Sequence, residues 1–192
     1  MGEAKLGNSI ERLAAAVSSR FSFDLSRNGS RTVTIKPLLD NFSEIPDEIL
    51  NWFRLGISGG WIPPFEFLRP DQVVAEFKQK VSLYKELNES SGEPGFFHDD
   101  IIGGDPDPGL CLCKDSWSSG WLPIAKVDAN MAFVDLTPGP NGTKGQVVYM
   151  YADEMALEIQ GESISNWFDR IAMAIEAGKF EEFLIVPSEM RN

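Results

Sequence analysis

The sequence has 192 residues, 43% of them hydrophobic and 11% aromatic, which excludes a disordered chain and suits one domain with a core of its own. Seventeen Lys and Arg stand against 29 Asp and Glu, a net charge of −12. So acidic a chain repels phosphate backbones, which argues against direct nucleic-acid binding and for a basic protein partner.

No apolar run approaches the ~20 residues that span a bilayer. Met1 to Lys5 lacks the apolar stretch of a secretory signal. Cys111 and Cys113, the two cysteines, alternate on one strand face with no other cysteine to pair with. A reducing, cytoplasmic setting without a membrane is expected.

In chain order, Asn8 to Phe21 reads as a helix with Ile10, Leu13, Ala14 and Val17 on one stripe. Arg31 to Lys36 alternates and reads as an edge strand ended by Pro37. Ile45 to Gly56 is a short helix, with Pro46, Asp47 and Glu48 in its first turn. Ser58-Gly59-Gly60 is a turn. Trp61-Ile62 and Phe65 to Leu68 flank Pro63-Pro64 and suggest one strand broken by a kink. Pro70 opens a long helix to about Leu87, with Val73, Phe77, Val81 and Tyr84 on one face.

Asn88 to Gly109 is rich in Pro, Gly and acid, and is expected to be an ordered loop. Between Lys85 and Lys114 there is no Lys or Arg, while Glu86, Glu89, Glu93, Asp99, Asp100, Asp105 and Asp107 all fall there. Leu110 to Cys113 reads as a strand. Three β-rich runs then follow: Trp121 to Ala125, Met131 to Leu136 and Gln146 to Met150, separated by turn residues. Met155 to Ile159 is one more strand. Ser163 caps a last helix with Ile164, Trp167, Phe168, Ile171 and Ile175 inward, ended by Gly178. Phe183 to Val186 is an apolar tail. Consecutive strands with helices around them predict an α+β fold: a mostly antiparallel sheet of about five or six strands, helices mainly on one face.

No catalytic constellation is readable. His98, the one histidine, is followed by Asp99 and Asp100, but no nucleophile is placed beside it. Asp105-Pro106-Asp107 lacks the spacing of a calcium loop. Cys111-x-Cys113 has no second pair for zinc. In Gly139 to Gly145 the Lys follows the Thr, the wrong order for a phosphate loop, so a hairpin is expected. No enzyme activity, cofactor or metal is therefore expected. Of the five tryptophans most should be core. Trp117, set among serines, is the candidate for an exposed aromatic anchor within an acidic surround.

The pattern of Trp121-Leu122-Pro123-Ile124-Ala125, Asp128, Phe133-Val134-Asp135-Leu136, Pro138-Gly139-Pro140, Gly142 and Gly145-Gln146-Val147-Val148 resembles the SUKH superfamily. It looks most like the branch of the fungal cell-wall glucan-synthesis regulators and their bacterial immunity-protein relatives. Ser163-x-x-x-Trp167-Phe168 is similar to that family's closing helix, and Ile45-Pro46 with Gly59-Gly60 to its opening segment. Ser58 stands where the family more often has Asn. The resemblance is fullest over 121–178, thinner over 45–87, and does not reach 1–36. It implies a SUKH-like domain over 37–192 after an N-terminal extension, 1–36. It implies structural roles for Gly59, Trp121, Pro123, Asp128, Asp135, Gly145, Gln146 and Trp167. It also implies a binding role rather than catalysis: an immunity protein that occludes a toxin or, alternatively, a regulator or scaffold for cell-wall or envelope assembly. Asp99, Asp100, Asp105, Asp107 and Trp117 would then contact the protein partner, a basic toxin on the first reading.

Overall fold

Among the described residues six short strands lie side by side in the order in which the chain makes them. They are β1 (Trp61–Ile62), β2 (Phe65–Phe67), β3 (Trp121–Val127), β4 (Asn130–Asp135), β5 (Val147–Tyr151) and β6 (Ala156–Gly161). Every neighbouring pair is antiparallel. The computed structural model describes residues 2–21, 33–55, 61–62, 65–91, 120–152 and 156–180. Among these are five helices: α1 (Gly2–Phe21), α2 (Lys36–Asn41), α3 (Asp47–Arg54), α4 (Pro70–Ser91) and α5 (Ile164–Glu176). None of them is long and apolar enough to cross a membrane. The fold is α+β, as the order of elements predicts.

The register explains which side chains meet. Leu122 stands opposite Val134, and Ala125 opposite Ala132. Val134 and Ala132 in turn face Val147 and Tyr149. With Phe65 and Phe67 they form one face, packed with Trp52 and Phe53 of α3 and Trp167, Phe168 and Ile171 of α5 in a single core. Rings close it: Phe65 lies 5.2 Å from Trp167, and Trp52 lies 5.6 Å from Phe67. Burying each such side chain contributes ~1.5–3 kcal/mol. The other face carries Trp121, Met131, Phe133, Val148 and Leu157, a second apolar cluster that contains no residue of a described helix. The described helices thus serve one face, as expected.

The N-terminal segment is part of this packing. α1 packs against α5, its Leu6, Leu13, Ala16 and Val17 join the same core, and Arg12 meets Glu176 at 2.8 Å. It begins at Gly2, earlier than the start read at Asn8.

Three expectations are corrected. Residues 33–35 are not strand, and Lys36 opens α2 with Pro37 in its first turn. There the missing N–H of Pro costs nothing, so the residue taken as a strand stop is a helix start. Trp61-Ile62 and Phe65–Phe67 are not one kinked strand: Ile62 pairs with Phe65 and Trp61 with Glu66, a tight hairpin. A register that sets Ile62 opposite Phe65 reverses the chain, whereas a kink would keep its direction. The long helix continues to Ser91, so the first residues of the 88–109 stretch are helical rather than loop. The strand expected at 110–113 and the tail at 183–186 lie outside the described residues.

Candidate functional site

The β4–β5 connection carries a large part of the motif on which the resemblance rests. Asp135 closes β4 on the face away from the helices, and it is wholly buried. Its Oδ1 accepts from Thr137 N at 3.0 Å, and its Oδ2 accepts from Gln146 Nε2 at 2.9 Å. Gln146 Oε1 in turn accepts from Thr143 N at 3.0 Å. The two backbones are joined as well, by Asp135 N to Gln146 O at 2.9 Å and Gly145 N to Asp135 O at 2.8 Å. Burial pushes the Asp135 carboxyl up to about 6, against the pull of the Gln146 and Thr137 hydrogen bonds.

Around this loop the chain folds in from elsewhere. Gly145 has φ +94°, which a side chain rarely adopts, and an added Cβ would lie 3.3 Å from Pro46 Cγ. Lys144 pairs with Glu44 at 2.6 Å and holds that carboxyl below its usual range. Two residues beyond Pro46, Glu48 Oε1 accepts from Ser165 N at 3.2 Å and from the Ser165 hydroxyl. A carboxylate thus satisfies one of the free N–H groups at the start of α5, beside the Ser163 cap that accepts from Asn166 N at 3.2 Å.

A second buried polar group sits on the helix-covered face, near the far end of β5. Tyr151 Oη lies 2.9 Å from Glu158 Oε2, and Gln160 Nε2 donates to Tyr151 Oη at 2.9 Å. Arg170 of α5 donates to the backbone carbonyl of Gln160 at 2.8 Å. Gln160 Oε1 and Tyr149 Oη are buried without a hydrogen-bond partner. Burial, first, raises the Tyr149 phenol well above its ordinary value; Asn130 pulls the other way without reaching hydrogen-bond geometry, and the Asp128 charge adds to the rise.

The expected residues are distributed as follows. Asp135, Gly145 and Gln146 come together. Trp121 stands opposite Asp135, and Pro123 opposite Phe133 beside a bulge, on that same face. Asp128 occupies the β3–β4 turn with φ 52°, a conformation Asp tolerates. Trp167 lies across the sheet, in the helix-side core. Gly59, His98, Asp99, Asp100, Asp105, Asp107, Cys111, Cys113 and Trp117 lie outside the described residues.

Among the described residues no three His, Cys, Asp or Glu side chains are gathered to hold a metal ion. Glu48, Ser165 and the Tyr151–Glu158–Gln160 group were not anticipated. Glu158 and Gln160 alternate with Leu157 and Ile159, which signals a solvent face. Only Tyr149 and Tyr151, two apart and directed to the same side, hint that a polar pair opposite them would be buried. Compared with known families and with curated proteins, the sequence matches no family model and no curated protein.

Proposed function

We propose that this chain is a SUKH-type protein-binding module without enzymatic chemistry, acting in the cytoplasm as an immunity protein that covers the working surface of a basic toxin. The observation that carries the reading is the distribution of charge. Between Lys85 and Lys114 the chain has seven Asp or Glu and no Lys or Arg, within a sequence of net charge −12. Carboxylates gathered in one stretch speed the encounter with a cationic partner and fix its register. Trp117, close by in sequence, supplies an aromatic anchor of the kind that dominates binding energy. The hydrogen-bonded meeting of Asp135, Gly145 and Gln146 supports the resemblance on which the family reading rests.

The test begins with capture of the partner from the native host and its identification by mass. Association with the purified partner is then followed in rising salt. Neutralising Asp99, Asp100, Asp105 and Asp107 together is expected to slow association by about tenfold or more at low salt and to flatten its salt dependence. An unchanged association rate removes the acidic stretch from the interface. Capture of a wall-synthesis enzyme instead of a toxin selects the regulatory role in envelope assembly.

A further inference from the structure

The hydrogen bonds around Asp135 form a line in which each group has one permitted direction. Thr137 N and Thr143 N, at the two ends, are backbone donors. An ionised carboxylate only accepts, so Asp135 can meet both Thr137 N and the amide side of Gln146. The Gln146 side chain is thereby oriented from both ends: Nε2 must face the carboxylate, and Oε1 must face Thr143 N at 3.0 Å. We propose that Asp135 is a proton-operated latch on the 136–145 loop: one proton taken from solvent onto Oδ2 turns the Gln146 amide over and releases the Thr143 turn.

The geometry leaves the proton little choice. At Oδ1 it would oppose Thr137 N, whose hydrogen is fixed by the backbone. At Oδ2 it opposes Nε2, whose amide can rotate so that Oε1 accepts the new donor. Rotation then brings Nε2 against Thr143 N, two donors face to face, and Thr143 must leave. The β4–β5 ladder does not change, because it uses backbone groups alone. What loosens is the turn that Gln146 N closes on Thr143 O at 2.9 Å, and with it the hold of Lys144 on Glu44.

No charged neighbour on the described elements opposes this. Across β3 Asp135 faces Trp121, and on β5 it faces Gln146. Lys144 is engaged by Glu44, and Asp128 sits in the turn at the opposite end of β4. Burial, Gln146 and Thr137 are the influences on the carboxyl, and they set its midpoint at about 6, within reach of mild acidification.

The experiment is an NMR titration of the whole chain from pH 8 to 4.5. The Asp135 carboxyl carbon, the Gln146 side-chain amide and the Thr143 backbone amide should move with one shared midpoint near 6. Exchange at Thr143, corrected for its intrinsic pH dependence, should quicken about tenfold below that midpoint, the scale of one lost hydrogen bond, while Ala132 and Tyr149 do not change. Asp135→Asn, neutral and with a donor toward Gln146, should show the acid pattern at pH 8. An Asp135 midpoint in the ordinary carboxylate range overturns the proposal. So does titration near 6 with Gln146 and Thr143 unmoved. Should the Asn variant not fold, the wild-type titration decides alone.

Discussion

The two buried polar groups lie near opposite ends of β5 and on opposite faces of the sheet, and they differ in how they are paired. Around Asp135 and Gln146 each group in the line finds a partner, and turn backbone supplies both ends. Tyr151 meets the side chains of Glu158 and Gln160, while Gln160 Oε1 and Tyr149 Oη are left over. A fully paired group fixes one conformation. A partly paired one carries a desolvation cost without the matching bond. The first should therefore be intolerant of losing a hydrogen-bond partner, and the second should contain a position where removing a polar atom helps.

Substitutions can break or sharpen that contrast. The largest effect is expected where the helix-covered face is closed: Trp167→Ala should cost ~3–5 kcal/mol in urea unfolding, because the ring is wholly buried against Phe65 and Phe67. Gln146→Leu should cost ~2–4 kcal/mol at neutral pH, since the Asp135 carboxylate and Thr143 N each lose a bond inside the protein. It should also push the Asp135 midpoint higher, as the Gln146 bond is what holds it down.

The pH dependence has a definite sign. The folded value of about 6 lies above the ordinary 3.8, so ionising Asp135 opposes folding. Its contribution is full below the lower value and is lost as pH rises through the upper one, by ~3 kcal/mol at most. Stability measured at pH 5 and 7.5 should fall more for the wild type than for Asp135→Asn, and equal slopes would contradict this. Tyr151→Phe should cost ~1–2 kcal/mol by the same unfolding assay, freeing Gln160 Nε2. Smallest, and opposite in sign, Tyr149→Phe should leave stability unchanged or raise it by up to ~1 kcal/mol, because the hydroxyl it removes is unpaired. A clear loss in that variant would erase the distinction between the two groups.

The paired group was largely readable from the chain, and the other was not. Trp121 to Gln146 announces itself through β-branched and aromatic runs cut by Asp128, Pro138-Gly139 and Gly145, where local turn chemistry and tertiary placement agree. The cap at Ser163 and the stop at Gly178, with φ 73°, follow from equally local rules. Expectations failed where one local signal serves two geometries. Pro37 can end a strand or start a helix, and two short apolar runs in succession can be one strand or a hairpin. Glu158 and Gln160 were unreadable because period-two alternation marks which residues share a face, not which face is wet. Glu48 acts on Ser165 across 117 positions of sequence, a distance no local pattern spans.

The order of the strands has a consequence for how such a chain can change. β2 and β3 are direct neighbours, Phe67 opposite Ala125, although residues 68–120 run between them. Closing a long connection grows dearer only slowly, by ~0.6 kcal/mol for each doubling of its length. The pairing of β2 with β3 is enforced by the core behind it, to which α4, at the start of that span, contributes Val73 and Val74. Selection can therefore lengthen, shorten or recharge the part of that span that follows α4 while the meander keeps its register, so that a new surface is acquired without a new fold.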